Sequence, residues 1–291
     1  MNKLMLLVFV CFLFSCEKNI DFNLKETANV LVVDAEIENG KAPTVVLTKS
    51  LSFFSEIGPS IFDSLFVHNA QVFISNGVLT HRLKEYSYSL IPGYAAFVYS
   101  IDSASLATAF TGEFNTSYNL KIISEGQEYN SSVSIPGLNT VPDSFYFKVA
   151  PQNPDTNKRI LILKATDPPG LGNCVRYFTK TNRASFLPGA NSVFDDQVID
   201  GTTYEVQLPG GIDRNDPPKA DSNFFQKGDT VTLKFCNIDR SSFSFWSTWE
   251  FAYQSIGNPF SQPNKVIGNI SNGALGAFCG YASWYGTKVA Q

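Results

Sequence analysis

Residues 67–85 read VHNAQVFISNGVLTHRLKE, two runs of alternating apolar and polar residues on either side of Asn76-Gly77. Asn-Gly favours a type I′ turn, in which both central residues need positive φ, and a two-residue turn locks its strands into one register. That register sets Ala70 opposite Leu83, Val72 opposite His81 and Ile74 opposite Leu79 on one apolar face. The hairpin it defines is half-buried and antiparallel.

Outward from this hairpin the same signals recur. Val30 to Glu38 reads as a strand ending at Asn39-Gly40, and Thr44 to Ser50 as the next. Leu51 to Phe66 is aromatic but carries Gly58-Pro59, which predicts a long packed loop. Tyr118 to Ile122 alternates, turns at Glu125-Gly126 and resumes over Tyr129 to Ile135. Pro136-Gly137 then closes an immunoglobulin- or prealbumin-like β-sandwich domain over residues 29–137.

A second β-rich domain, 138–291, follows a short join. Its expected strands are Ser144 to Val149, Arg159 to Ala165, Cys174 to Thr181, Thr203 to Leu208 and Thr230 to Cys236. Asp167-Pro168-Pro169-Gly170, Leu187-Pro188-Gly189 and Pro209-Gly210-Gly211 to Pro217-Pro218 read as loops, and Gly273 to Gly280 as turns and strand. One short aromatic helix is expected over Ser241 to Ser255, capped by Asp239 or Ser241. Phe243, Trp246, Trp249, Glu250 and Tyr253 share one face of it. The fold class is therefore mainly β.

Composition narrows the function. A 44% hydrophobic and 16% charged chain can fill a large core, and 25 Phe and 12 Tyr favour strands. With 22 basic against 26 acidic residues and no Lys/Arg run, nothing would track a phosphate backbone, which argues against nucleic acid. Met1 to Cys16 has a basic Lys3, an apolar run from Met5 to Phe14, and Leu13-Phe14-Ser15-Cys16 at its end. Those are the parts of a lipoprotein signal peptide. Roughly ten apolar residues in a helix reach about 15 Å, half of a ~30 Å hydrocarbon core, so the segment suits cleavage rather than spanning. Residues 1–15 are thus read as the signal, Cys16 as the lipidated (palmitate-bearing) N-terminus, and 16–28 as a polar tether.

The order of short motifs resembles a family of Bacteroidota lipoproteins known only as a domain of unknown function, numbered 4249. The resemblance rests on Ser15-Cys16-Glu17-Lys18, Val30-Leu31-Val32-Val33, His68-Asn69-Ala70-Gln71-Val72, Phe224-Phe225-Gln226-Lys227-Gly228-Asp229, and Gly257-Asn258-Pro259-Phe260 leading to Gly268-Asn269-Ile270-Ser271. The first half also resembles the prealbumin-like, carboxypeptidase-regulatory type of sandwich. What the resemblance implies is an outer-membrane lipoprotein, at the periplasmic or cell-surface face, beside a TonB-dependent transporter. It implies no activity.

Catalytic signals are weak. His68 and His81 are the two histidines, too far apart along the hairpin to share a metal, and no Gly-x-Ser-x-Gly elbow accompanies them. Cys174, Cys236 and Cys279 lie in apolar runs, with no spacing of a zinc site; buried thiols and one disulfide with a leftover thiol both stay open. Asp213, Asn215 and Asp216 crowd one loop and Asp195-Asp196 another, which makes the first three weak calcium candidates. No cofactor is expected. The function read from these residues is a non-catalytic accessory binding or interaction lipoprotein, with a surface hydrolase acting on glycans or peptides as the alternative. Phe53, Phe54, Phe62, Phe224 and Phe225 are the candidate partner-contacting aromatics. Cys16→Ser is expected to abolish lipidation, because no other residue accepts the diacylglyceryl thioether; palmitate labelling of the variant checks this, and undiminished label would refute it.

Overall fold

The computed structural model describes residues 29–51, 59–92, 94–151, 153–216, 221, 223–258, 260–262 and 264–291. Cys16, the tether, Phe53 and Phe54 lie outside the described residues. Within them the chain is mainly β, with no helix long and apolar enough to cross a membrane.

The first half contains β1 (Leu31–Glu38), β2 (Thr44–Lys49), helix α1 (Pro59–Leu65), β3 (Gln71–Ser75), β4 (Thr80–Ile91), β5 (Tyr94–Ile101), β6 (Thr116–Ser124) and β7 (Gln127–Ile135). The second contains β8 (Pro142–Val149), β9 (Lys158–Thr166), β10 (Cys174–Thr181), β11 (Leu187–Asp195), β12 (Thr203–Leu208), β13 (Phe225–Gln226), β14 (Thr230–Ile238), helix α2 (Arg240–Gln254) and β15 (Leu275–Val289). Among the described residues, eleven strands form one sheet in the order β11-β10-β14-β15-β1-β2-β5-β4-β3-β6-β7. Around β9, β8 pairs along one edge, and β12 and β13 along the other.

β15 joins the halves. It runs parallel to β1, with Asp34 beside Ala277 and Glu36 beside Cys279, and antiparallel to β14. Its central residues are buried on both faces, which is why the segment is continuously apolar rather than alternating. Phe278 and Ala282 enter the core formed by Val33, Ile37, Leu47, Val72, Leu120 and Ile135. Ala277, Cys279 and Tyr281 face the other way, under α2. The large sheet curls until β7 lies across β15, where a Cβ on Gly280 would meet the Ser134 carbonyl oxygen at 2.6 Å.

The hairpin register differs from the expected one. Val72 pairs with Leu83, Ile74 with His81 and Ser75 with Thr80, leaving four residues in the connection instead of two. The Asn76 side chain explains the longer loop: its Oδ1 accepts from the Val78 and Leu79 amides, and the Asn76 amide donates to the Leu79 carbonyl. Of the Asn-Gly pair, Gly77 alone has positive φ. A shift of two residues keeps every side chain on its face, so Val72, Ile74, His81 and Leu83 are still buried together. The two-residue turn with both φ positive occurs instead at Glu125-Gly126, between Ser124 and Gln127.

Two expected loops hold elements. Pro59–Leu65 is helical, and Leu187-Pro188-Gly189 opens β11, an edge strand, where proline's missing donor is tolerated. β5 also forms, where no strand was expected. Because backbone at Ser134 has no room to retreat from β15, Gly280→Ala should cost about 1–3 kcal/mol through overpacking. Urea unfolding of the variant measures it, and an unchanged midpoint would show that β7 does not bear on β15 this closely.

Candidate functional site

Two surfaces stand out, one apolar and one charged. β4 continues beyond its last pair with β3 at Leu83, and β5 touches β2 at one pair, Val45 with Tyr99. Among the described residues, the two strands from Tyr86 and Val98 outward therefore pair with each other alone, as a two-stranded ribbon. An isolated ribbon is marginal in water. This one carries exposed Tyr88, Leu90 and Ile91 on its outer part, Leu90 at 58% and Ile91 at 60% exposure. Half-buried rings gather at its side: Phe62 of α1 meets Phe66 and Tyr94 edge-on at 5.5 and 5.3 Å, and Phe66 meets Phe97 at 5.3 Å. His68 sits edge-on against Phe97 with Nδ1 2.5 Å from Glu85 Oε1. Burial would raise the Glu85 carboxyl, but the His68, Asn69 amide and Tyr99 hydrogen bonds outweigh it and hold the pKa low.

The charged surface is the face of the large sheet shared by β10, β14, β15 and β1. Strand alternation puts Asp34, Glu36 and Glu38 on it, since their β15 neighbours Ala277, Cys279 and Tyr281 face α2. Glu38 is buried. It accepts from Lys234 Nζ at 2.7 Å, from Lys41 Nζ at 3.0 Å and from the Tyr285 hydroxyl. Arg176 is also buried, donating to Ser192 Oγ at 3.1 Å and Tyr281 Oη at 2.9 Å while its guanidinium lies 3.4 Å from the Trp246 ring centre. Asp34 and Glu36 keep solvent access but stand within this packed surround. Burial raises both carboxyls, Arg176 partly offsetting it at Asp34 and Lys234 at Glu36. At Glu38 burial acts in the same direction but is overcome by Lys234, Tyr285 and Lys41, so its carboxyl titrates below the usual range.

Helix α2 covers part of this face. Asp239 caps it, Oδ1 accepting from the Ser242 amide at 2.9 Å and Oδ2 from the Ser134 amide of β7 at 3.2 Å. Phe243, Trp246 and Trp249 pack half-buried on the sheet, with Phe245 more deeply placed. Glu250, in the expected stripe, is buried and ionically paired to Arg214 at 3.0 Å, and both of its oxygens are held by Ser192. Tyr253 stacks on Trp249.

The remaining site residues fall as follows. Phe225 is buried in the second-half core and is not available to a partner, because β13 pairs it with Arg159 of β9. Phe224 is half-buried against Ala150, Ile160 and Ile162. Of the candidate aromatics among the described residues, Phe62 borders the ribbon. Asp213, Asn215 and Asp216 are exposed on a loop, the Asn215 amide donating to Asp213 Oδ1 at 2.9 Å. Among the described residues, the carboxylates that do converge are others: Asp167, Asp196 and Asp200. His81 is buried, its Nε2 accepting from the Asp102 amide at 3.0 Å, so Nδ1 carries the proton toward Thr108 Oγ1 at 2.9 Å. Burial keeps it neutral by lowering its pKa. Cys174, Cys236 and Cys279 are free and buried.

Removing one partner of a buried ion pair strands the other, so Lys234→Met should cost about 3–5 kcal/mol at neutral pH. The sign with pH follows from the lowered Glu38 carboxyl: its ionisation stabilises the fold above the unfolded pKa, and that contribution is lost as pH falls through the folded value. The deficit of Lys234→Met should therefore shrink in acid. Asp34→Asn and Glu36→Gln should do the reverse, stabilising at neutral pH and converging on the parent as pH falls through their raised folded values and below the unfolded ones. Urea unfolding at neutral and acid pH separates these outcomes.

No curated protein matches the chain. A family model described as a domain of unknown function matches residues 17–284, nearly all of the sequence, and on that match the chain belongs to the DUF4249 family.

Proposed function

We propose that this protein is a non-catalytic lipoprotein, anchored through Cys16 in the outer membrane of a Bacteroidota cell, that serves as an accessory to a TonB-dependent transporter. The observation that supports an interaction role is the ribbon. A two-stranded projection with exposed Tyr88, Leu90 and Ile91 beside a bank of half-buried rings gains most when a partner covers it. The anchor supplies proximity: a short tether raises the effective concentration near a membrane partner toward the millimolar range, so a micromolar contact suffices. The histidines lend no catalytic support, since both ring nitrogens of His81 and the Nδ1 of His68 engage partners other than a serine hydroxyl.

A photo-crosslinker placed at Tyr88 or Leu90 in intact cells is expected to trap an outer-membrane transporter above the level seen with a control lipoprotein of matched abundance. No enrichment sinks the accessory reading. The surface-hydrolase reading draws on one observation, the neighbouring Asp34 and Glu36 carboxyls with raised pKa. Glycan or peptide hydrolysis by the purified protein that disappears in Glu36→Gln would favour it instead.

A further inference from the structure

Away from both surfaces, three aspartates meet where the strands around β9 approach the large sheet. Asp167 follows β9, Asp196 follows β11, and Asp200 lies on the turn that leads to β12. One carboxylate oxygen from each lies within 4.8 Å of those from the others. Backbone bonds hold the group together: the Asp167 amide donates to Thr202 at 2.9 Å, the Asp196 amide to Asn173 at 3.2 Å, and the Asp200 amide back to the Asp196 carbonyl at 2.9 Å.

Each carboxylate has one oxygen occupied. Asp196 Oδ2 accepts from the Gly172 and Asn173 amides, both at 2.7 Å; Asp167 Oδ1 accepts from the Thr140 hydroxyl at 3.2 Å; Asp200 Oδ1 accepts from the Gly170 amide at 2.6 Å. The second oxygens of the two inner residues are unsatisfied. Asp167 and Asp196 are only 3% and 1% exposed, yet among the described residues Asp167 Oδ2 and Asp196 Oδ1 have no hydrogen-bond donor. A buried charged oxygen without a partner is costly, and here two such oxygens occur in one group of like charge.

We propose that Asp167, Asp196 and Asp200 form a calcium-binding site. A cation between the three satisfies both orphan oxygens at once, whereas one shared proton would leave two further negative charges beside it. The donor set is oxygen alone, with no imidazole, which selects a hard divalent ion over a transition metal. Three carboxylates replace much of an ion's hydration shell, which suits calcium better than the reluctantly dehydrated magnesium. Asp200 is exposed and gives an entry side where water completes the coordination. The bound ion would fasten the end of β9 to the loop before β10 and the loop after β11.

Titration of the EDTA-treated full chain with calcium chloride tests this by calorimetry and by thermal unfolding. Saturable binding to one site is expected, with half-saturation on the order of 10⁻⁴ to 10⁻³ M as in extracellular calcium modules, together with a rise in Tm. Asp200→Asn, at the exposed rim where folding is least at risk, should weaken binding at least about tenfold. Asp196→Asn, which keeps an oxygen for the Gly172 and Asn173 amides, should abolish it. No saturable heat and no change in Tm up to about 10 mM calcium, well above the usual extracellular range, overturns the proposal. Binding that both variants leave unchanged overturns it equally, by placing the ion elsewhere.

Discussion

The pairing of β1 with β15 sets the terms for the rest of the molecule. A parallel pair cannot be closed by a tight turn, so the chain between these strands has to leave the sheet and return. Among the described residues, that excursion contains every other strand. When β15 arrives it does three jobs with one set of backbone bonds: it covers the edge of β1, completes the edge of β14, and presents side chains to both layers. Phe278 and Ala282 serve one core, while Ala277, Cys279 and Tyr281 serve the layer beneath α2, and Trp284 packs against a third group around Phe145. Close contact with β7 follows, because small Gly280 is what lets two backbones approach.

The charged face inherits its geometry from that pairing. Glu38 and Lys234 belong to strands on opposite sides of β15, Glu38 level with Tyr281 and Lys234 with Tyr285, and their long side chains meet by reaching across that strand on one face. Arg176 reaches Tyr281 across β14 and is roofed by Trp246 of α2. Buried charges of this kind add little to stability compared with apolar replacements of the same shape, but they tolerate few alternative arrangements. The face therefore reports on correct assembly of four strands and a helix. Asp34 and Glu36, on the same strand, keep water on one side and packed protein on the other, which is the condition under which a carboxyl resists ionisation.

Much of the fold was legible in local pattern. Runs of strand-favouring residues bounded by turn signals located β1, β2, β6, β7, β9 and β10 within a residue or two, and the aromatic stripe with Asp239 ahead of it located α2. What failed were matters that local pattern does not carry. The Asn76 side chain, by capping its own loop, moved the hairpin by two residues, and only the even size of the shift preserved the faces. Pro188 and Gly189 look like chain breakers until β11 is known to be an edge. Phe225 lies in a short Phe224-Phe225 pair flanked by Asn223 and Gln226 and carries no strand signal of its own, yet β9 supplies its strand partner from far away in sequence. The convergence of Asp167, Asp196 and Asp200 has no sequence signal, since each is an ordinary turn residue; the crowded Asp213 loop has the louder one.

Cys174, Cys236 and Cys279 face the same side of β10, β14 and β15, under α2. Burial pushes their thiols up to about 11, 11 and 12, so in the closed molecule essentially none is the reactive thiolate. An alkylating reagent then meets them at an appreciable rate only during excursions that lift the helix or part the strands. The three side chains become an internal clock for such openings: if the seam breathes as one cooperative unit, all three acquire label together, and the rate gives the free energy of that motion separately from fraying of the ribbon or the loops.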